Sequence, residues 1–366
     1  VIMDILMVIG QYYPIIGGAE QQAQKLSEEL VRQGHNVEIV TYTRRGLKKF
    51  ELINGIKVFR LRGFLYKSIR EYSLILSMLL FVWKRKNKYD LIHCHQALFP
   101  TFSAVIAGKL FNIPTIAKLG SSGSMFDLML LGKNHLIGNL YVNYTINNIN
   151  NFIAISSQIF DELKTFNVPV SKIKMIPNGI HIDKVKKNNN KKDIAFVGRL
   201  SKVKNIPFLI KIFNHLNIDS ILNIYGNGDQ KKEIQALIKH NNLENKIIIH
   251  GAKEQEDIKY ALVKSSIFVL PSFTEGLSNA LLEAMAYGVV PIVSDIPGNR
   301  YALGEELANI LALPLDEQIW IDKINYLHNN PYILIELSKK VKERASLFDI
   351  KSITKQYVKL YEEIVN

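Results

Sequence analysis

The chain alternates short apolar runs with longer stretches in which apolar residues recur every three or four positions. In the first half DILMVIG, HNVEIVT, DLIHCH, IPTIAKL and NFIAIS read as buried strands, separated by helical segments such as AEQQAQKLSEELVRQG. That rhythm predicts βαβ units and a parallel sheet. The first helix opens directly after Gly17 and Gly18 and stops at Gly34. Around Val185 to Lys192 the text becomes VKKNNNKK, without apolar period, which predicts an exposed linker. The alternation restarts with DIAFVG, SILNIYG, KIIIHG, SSIFVL and VVPIVS. Two doubly wound α/β sheets are therefore expected, with ligands outside the carboxyl ends of the strands, in a cleft between the domains. Beyond Pro314 the text is helical, and Ile353, Tyr357, Leu360, Tyr361 and Ile364 share one face that must pack on something.

Length and composition narrow the class. A chain of 366 residues with 48% hydrophobic content suits two cores. The single cysteine, Cys94, excludes an internal disulfide and a Cys-rich metal site, and points to the cytosol. The opening VIMDILMVIG lacks the basic flank and cleavage pattern of a signal peptide and reads as a first strand. The longest apolar run, Ser73 to Trp83, is 11 residues, short of the roughly 20 that span a bilayer. Of the net charge of +13, +10 falls in residues 1–180. That bias suits an anionic membrane surface, or it is solvated lysine alone; aromatics and basics are not interleaved as a base-stacking platform requires, so no nucleic acid is expected.

The restarted strands end in glycine-bearing turns: Gly198 in GRLSKVKN, Gly226 in IYGNGD and Gly251 in IIHGAK. Glycine there lets backbone approach a ligand closely. Arg199 offers a planar fork suited to phosphate and Lys204 a mobile point charge, so the pair suits a diphosphate; the plainer alternative is two solvated cations near a helix start. In EGLSNALLE, Gly276 leads into the amides of Leu277, Ser278 and Asn279, where a helix N-terminus receives an anion. Glu275 and Glu283 lie at most about 12 Å apart along such a helix. They bracket a ligand with hydroxyls at both ends and phosphates between, as in a nucleotide sugar. Otherwise Glu283 faces solvent and Glu275 complements the helix dipole.

Taken together, GGAE at 17–20, PNGI at 177–180, GRLSKVKN, GNG at 226–228 and the two spaced glutamates resemble the retaining nucleotide-sugar glycosyltransferases of family GT4 over nearly the whole chain. The resemblance implies the GT-B fold: two Rossmann-like domains facing a cleft. Residues 1–183 would bind acceptor, 184–192 form the linker, 193–347 bind the nucleotide sugar, and 348–366 form a helix crossing back to the first domain. It also implies that Arg199 and Lys204 hold the donor diphosphate and that Glu283 holds the ribose hydroxyls. Glu275 would hold the transferred sugar and Leu277 to Asn279 the phosphate and sugar through backbone. Gly17 and Gly18 would approach the pyrophosphate or acceptor. Family members often carry a His directly after the strand equivalent to IPTIAK; here Leu119 or Gly120 stands there, leaving His95 or the Ser121 to Ser124 loop as substitutes.

No Asp-x-Asp pair exists to hold a metal against a diphosphate, so no metal or other cofactor is required by the sequence. The expected reaction is transfer, with retention, from a UDP-sugar or GDP-sugar to a saccharide or lipid-linked acceptor of surface polysaccharide assembly. For the acceptor, the apolar stretch Phe64 to Trp83 followed by KRKNK suits peripheral contact with anionic lipid at the inner face of the membrane, against a core helix as the plainer reading. A GT-B nucleotide-sugar epimerase and a non-catalytic sugar-binding scaffold are the alternatives.

Overall fold

The computed structural model describes the chain except residues 15, 16, 45, 64–69, 134–136 and 184–192. The expected linker thus lies outside the described residues. The chain divides into two compact units, Val1–Gly179 with Ile350–Asn366, and Ile180–Asp349.

The first unit carries strands β1 (Asp4–Ile9), β2 (Asn36–Tyr42), β3 (Phe50–Ile53), β4 (Ile56–Leu61), β5 (Leu91–His95), β6 (Thr115–Lys118), β7 (Asn151–Ala154) and β8 (Ile173–Met175). Their order is β3-β4-β2-β1-β5-β6-β7-β8. All pairings are parallel except β3 with β4, which turn at Asn54-Gly55, both at positive φ, the dipeptide that two-residue hairpins favour. Helices α1 (Gly18–Arg32), α2 (Arg70–Trp83), α3 (Phe99–Phe111), α4 (Asp127–Lys133), α5 (Gly138–Asn148) and α6 (Ser157–Thr165) fill the connections. Strands β1, β5, β6 and β7 are almost wholly buried because helices cover both sheet faces, so their sequences are continuous apolar runs.

The second unit has β9 (Ile194–Val197), β10 (Leu222–Tyr225), β11 (Ile247–Gly251), β12 (Ile267–Leu270), β13 (Val290–Ser294) and β14 (Ala312–Leu313). They form one parallel sheet in the order β11-β10-β9-β12-β13-β14. Helices α7 (Ile206–His215), α8 (Lys231–His240), α9 (Gln255–Lys264), α10 (Asn279–Ala286), α11 (Pro297–Leu303), α12 (Glu305–Leu311), α13 (Glu317–Asn329) and α14 (Pro331–Ser346) complete it. In both sheets the order reverses beside the first strand of the unit, the doubly wound pattern that opens a crevice at the carboxyl edge.

The last helix, α15 (Ile350–Val365), belongs to the first unit. Its face of Ile353, Tyr357, Leu360 and Tyr361 joins the core of β1, β2 and α1, and Tyr361 Oη lies 2.6 Å from His93 Nδ1. Where the chain leaves this unit, the Gln22 carboxamide on α1 donates to Gly179 O at 2.8 Å and accepts from Gly179 N at 3.0 Å. That gives the glycine of PNGI a fixed place.

Behind α15 three basic side chains are buried: His93, His95 and Lys118. Burial lowers the pKa of each, that of Lys118 from 10.5 to about 7. Its ammonium donates to Gln22 Oε1 at 3.4 Å, a weak bond. Because the folded-state value is depressed, the stability linked to Lys118 is fully present above pH 10.5 and is lost as pH falls through about 7. Lys118→Met is therefore expected to stabilise the protein at pH 7, by about 1–2 kcal/mol, with a smaller gain at pH 9. Thermal unfolding at the two pH values tests this; equal destabilisation at both would contradict it.

Candidate functional site

In the second unit the carboxyl edge is built from three adjacent strand ends. Gly198 N donates to Tyr225 O at 3.0 Å, and Gly226 N to Gly251 O at 2.8 Å. A Cβ on Gly226 would stand 1.8 Å from Gly198 O, so only glycine allows β9 and β10 to end this close together. The predicted cluster of Gly198, Gly226 and Gly251 is thus one continuous patch of backbone.

The GRLSKVKN segment leaves β9, makes a short 3-10 turn at Lys202–Lys204 and enters α7 through Asn205, which has positive φ. Leu200 is buried and anchors the segment to the GNG loop through Leu200 N to Asn227 O and Gln230 N to Leu200 O, both 3.0 Å. Arg199 points outward and is exposed. Lys204 instead folds back: its Cε lies 3.6 Å from the place of a Cβ on Gly198. Its ammonium pairs with Glu275 Oε1 at 2.5 Å, with the two side chains 19% and 11% exposed. An ion pair this shielded from water is screened far less than a surface one.

The loop carrying Glu275 is held from three sides that the sequence did not reveal. Phe273 N donates to Val203 O at 2.9 Å, tying it to the GRLSKVKN loop. Ser294 Oγ donates to Ser272 O at 2.5 Å, and Asn299 Nδ2 to Ser294 O at 2.9 Å, a wholly buried relay at the end of β13. Gly298 then lies under Glu275 and Gly276: its Cβ would meet Glu275 O at 2.3 Å. The dipeptide Pro297-Gly298 was the available signal, and nothing local to it names Glu275 as its neighbour.

Gly276, Leu277 and Ser278 are buried at the start of α10. The helix is capped by Ser278, whose Oγ accepts from Leu281 N, and Asn279 is its first residue. Glu283 is 6% exposed, which removes the solvent-facing alternative. Its Oε1 accepts from Gln255 Nε2 at 3.0 Å; Gln255, at the start of α9, is a partner that sequence reasoning missed.

The remaining candidates lie in the first unit. Gly17 caps the amino end of α1 in extended conformation and Gly18 is the first residue of the helix. His95 is 2% exposed and its ring stacks on His93 at 4.6 Å; with its pKa lowered by burial it is a neutral packed strand-end residue. In the Ser121 to Ser124 loop, Ser122 is buried and Gly123 N donates to Glu162 Oε1 at 2.8 Å.

Both halves of the chain match known protein families. Residues 16–184 match the family described as Glycosyltransferase Family 4, and residues 179–348 match Glycosyl transferases group 1. An uncharacterized glycosyltransferase of Methanocaldococcus jannaschii is 26% identical over 99% of this chain and 100% of its own length. The UDP-Gal:alpha-D-GlcNAc-diphosphoundecaprenol alpha-1,3-galactosyltransferase of Escherichia coli is 26% identical over 82% of each chain. Among solved structures, HepE of Anabaena in complex with UDP and glucose superposes with a TM-score of 0.82 at 18% identity, covering 99% of this chain and 100% of that one. With both halves of the chain matched in order and each folding as a parallel α/β sheet, the chain belongs to the family 4 glycosyltransferases and is an enzyme of the GT-B fold.

Proposed function

We propose that the enzyme is a retaining hexosyltransferase that moves a sugar from a nucleotide diphosphate, UDP-sugar before GDP-sugar, to a lipid-linked saccharide. The observation that carries this reading is the Lys204–Glu275 pair beside the capped start of α10. It sets a cation for a diphosphate and a carboxylate for sugar hydroxyls within one hydrogen bond of each other. The relatives support the substrate classes: the HepE structure holds UDP and glucose, and the Escherichia coli relative is named for a UDP-galactose donor and a diphosphoundecaprenol acceptor.

In this reading the second unit binds donor and the first binds acceptor. Arg199 and Lys204, with the amides of Leu277 to Asn279, neutralise the charge that grows on the diphosphate as the glycosidic bond breaks. These groups supply what a metal would otherwise supply, so no cofactor is needed. Glu283, steadied by Gln255, holds the ribose hydroxyls, and Glu275 the hydroxyls of the transferred sugar. Gly17 and Gly18 let the α1 amino end approach the pyrophosphate or acceptor. The acceptor oxygen attacks the face from which the nucleotide departs, and the leaving phosphate takes its proton.

Contact with an anionic membrane is part of the proposal, on the cytoplasmic side. No helix among the described residues is long and apolar enough to cross a membrane. Helix α2 serves two faces: Leu74, Met78, Phe81 and Val82 are buried, whereas Tyr72, Leu76, Leu80 and Trp83 are 47–59% exposed in a row. Lys84 and Lys86 follow, both exposed, so an apolar stripe ends in positive charge.

Thermal shift with UDP- and GDP-sugars, followed by NMR of the product formed in EDTA, tests the central claim. A UDP-sugar shift and an unchanged anomeric configuration are expected; an inverted anomer or a strict metal requirement would contradict the mechanism. Lys204→Met should lower kcat/KM for donor about 100-fold, through loss of about 3 kcal/mol of charge-assisted bonding in the transition state. Glu283→Ala should act chiefly on donor KM, about 10-fold, if it binds ribose without taking part in bond breaking. Replacing Leu80 and Trp83 by Glu should reduce sedimentation with phosphatidylglycerol vesicles at least 10-fold and leave the donor-induced thermal shift intact.

A further inference from the structure

The carboxyl edge of the first sheet contains a backbone outlier. Six non-glycine residues among those described have positive φ; five are Asn, which tolerates this region, and the sixth is Gln96, at 68°. Gln96 directly follows β5, between His95 and Ala97, both buried, while its own side chain is half-buried. Strain at such a position persists only where the surroundings impose it.

The surroundings here impose it through four hydrogen bonds. Gln96 N donates to Lys118 O at 2.8 Å, and its carbonyl accepts from Thr101 Oγ1 at 2.5 Å. Ala97 N donates to Asp127 Oδ2 at 3.0 Å, and the same oxygen accepts from Gly120 N at 3.1 Å. One buried carboxylate at the start of α4 therefore ties the loop after β5 to the loop after β6. The Gln96 Cγ lies 3.7 Å from the place of a Cβ on Gly120, so the glutamine chain crosses the space that a side chain there would take. Every one of these bonds holds main chain; no described residue bonds the Gln96 carboxamide.

Asp127 is costly in the same way. Burial pushes its pKa up to about 6, against the two amides and the Ser121 hydroxyl, with Glu162 adding to the rise. Because the folded-state value lies above the ordinary 3.8, the linked stability is present below that value and is lost as pH rises through about 6. A strained residue and a buried carboxylate thus meet at the strand ends where α/β sheets bind ligands.

We propose that Gln96 is a specificity-determining contact to a hydroxyl of the acceptor saccharide, and that Asp127 is the positioning residue that holds it there. A carboxamide both donates and accepts, as a sugar hydroxyl does. The inference rests on the assignment of acceptor to the first unit.

The test is transfer from the donor identified above to a panel of octyl glucoside, galactoside, mannoside and N-acetylglucosaminide. Gln96→Gly relieves the strained φ, so its Tm and its UDP-induced shift should equal or exceed those of the wild type. Its acceptor KM should nevertheless rise at least 10-fold, with the ranking of the four acceptors flattened. Asp127→Ala should reproduce the KM effect, whereas Asp127→Asn, whose one oxygen can still accept both amides, should restore it and raise Tm at pH 7.5. Unchanged acceptor KM and ranking in Gln96→Gly would overturn the proposal. An altered donor KM with unchanged acceptor KM would instead overturn the assignment of acceptor to this unit and move Gln96 to the donor.

Discussion

The Lys204–Glu275 ion pair locks together two loops at the carboxyl edge of the second unit, and the neighbouring backbone is arranged around it. An exposed pair would contribute little, about 0–1 kcal/mol. This one is shielded by the Gly198 backbone on one side and by the loop after β12 on the other. Its main effect is geometric. It joins the loops at the ends of two neighbouring strands, where the Phe273–Val203 backbone bond already ties them, so cation and carboxylate keep a fixed spacing. Removing either partner alters the position of the other as well as its own charge.

The rest of the second unit supports that pair by close backbone approach. Gly226 lets β9 and β10 end against each other, and Gly298 lets α11 start beneath the Glu275 carbonyl. The Ser272–Ser294–Asn299 relay satisfies polar groups that the same closeness buries. In the first unit the equivalent task falls to side chains: Asp127 binds two strand-end amides, and Gln22 binds both polar groups of Gly179. At both edges, main-chain amides without a ladder partner have been given one.

Much of this was legible. The βαβ rhythm, the restart at DIAFVG, the glycines at strand ends and the apolar face of α15 all follow from periodicity within one element. The Asn54-Gly55 hairpin was also legible but went unread, because ELINGIKVF is short and sits inside an otherwise parallel rhythm. Helix α2 was legible only as a choice between core and membrane. Its apolar residues occupy two faces, and only packing against α3 and β4 separates Leu74 and Met78 from Leu76 and Leu80.

The amino-acid sequence by itself determined the order and kind of the elements and the residues at the carboxyl edges, because those depend on period, turn chemistry and spacing of a few residues. Tertiary structure alone decided the partners: Gln255 for Glu283, Gly298 under Glu275, Asp127 for Ala97 and Gly120, and the burial of His93 against α15. These contacts join residues brought together by crossover connections. The pattern along a strand records that it is buried, and carries no information about which distant loop lies against its end.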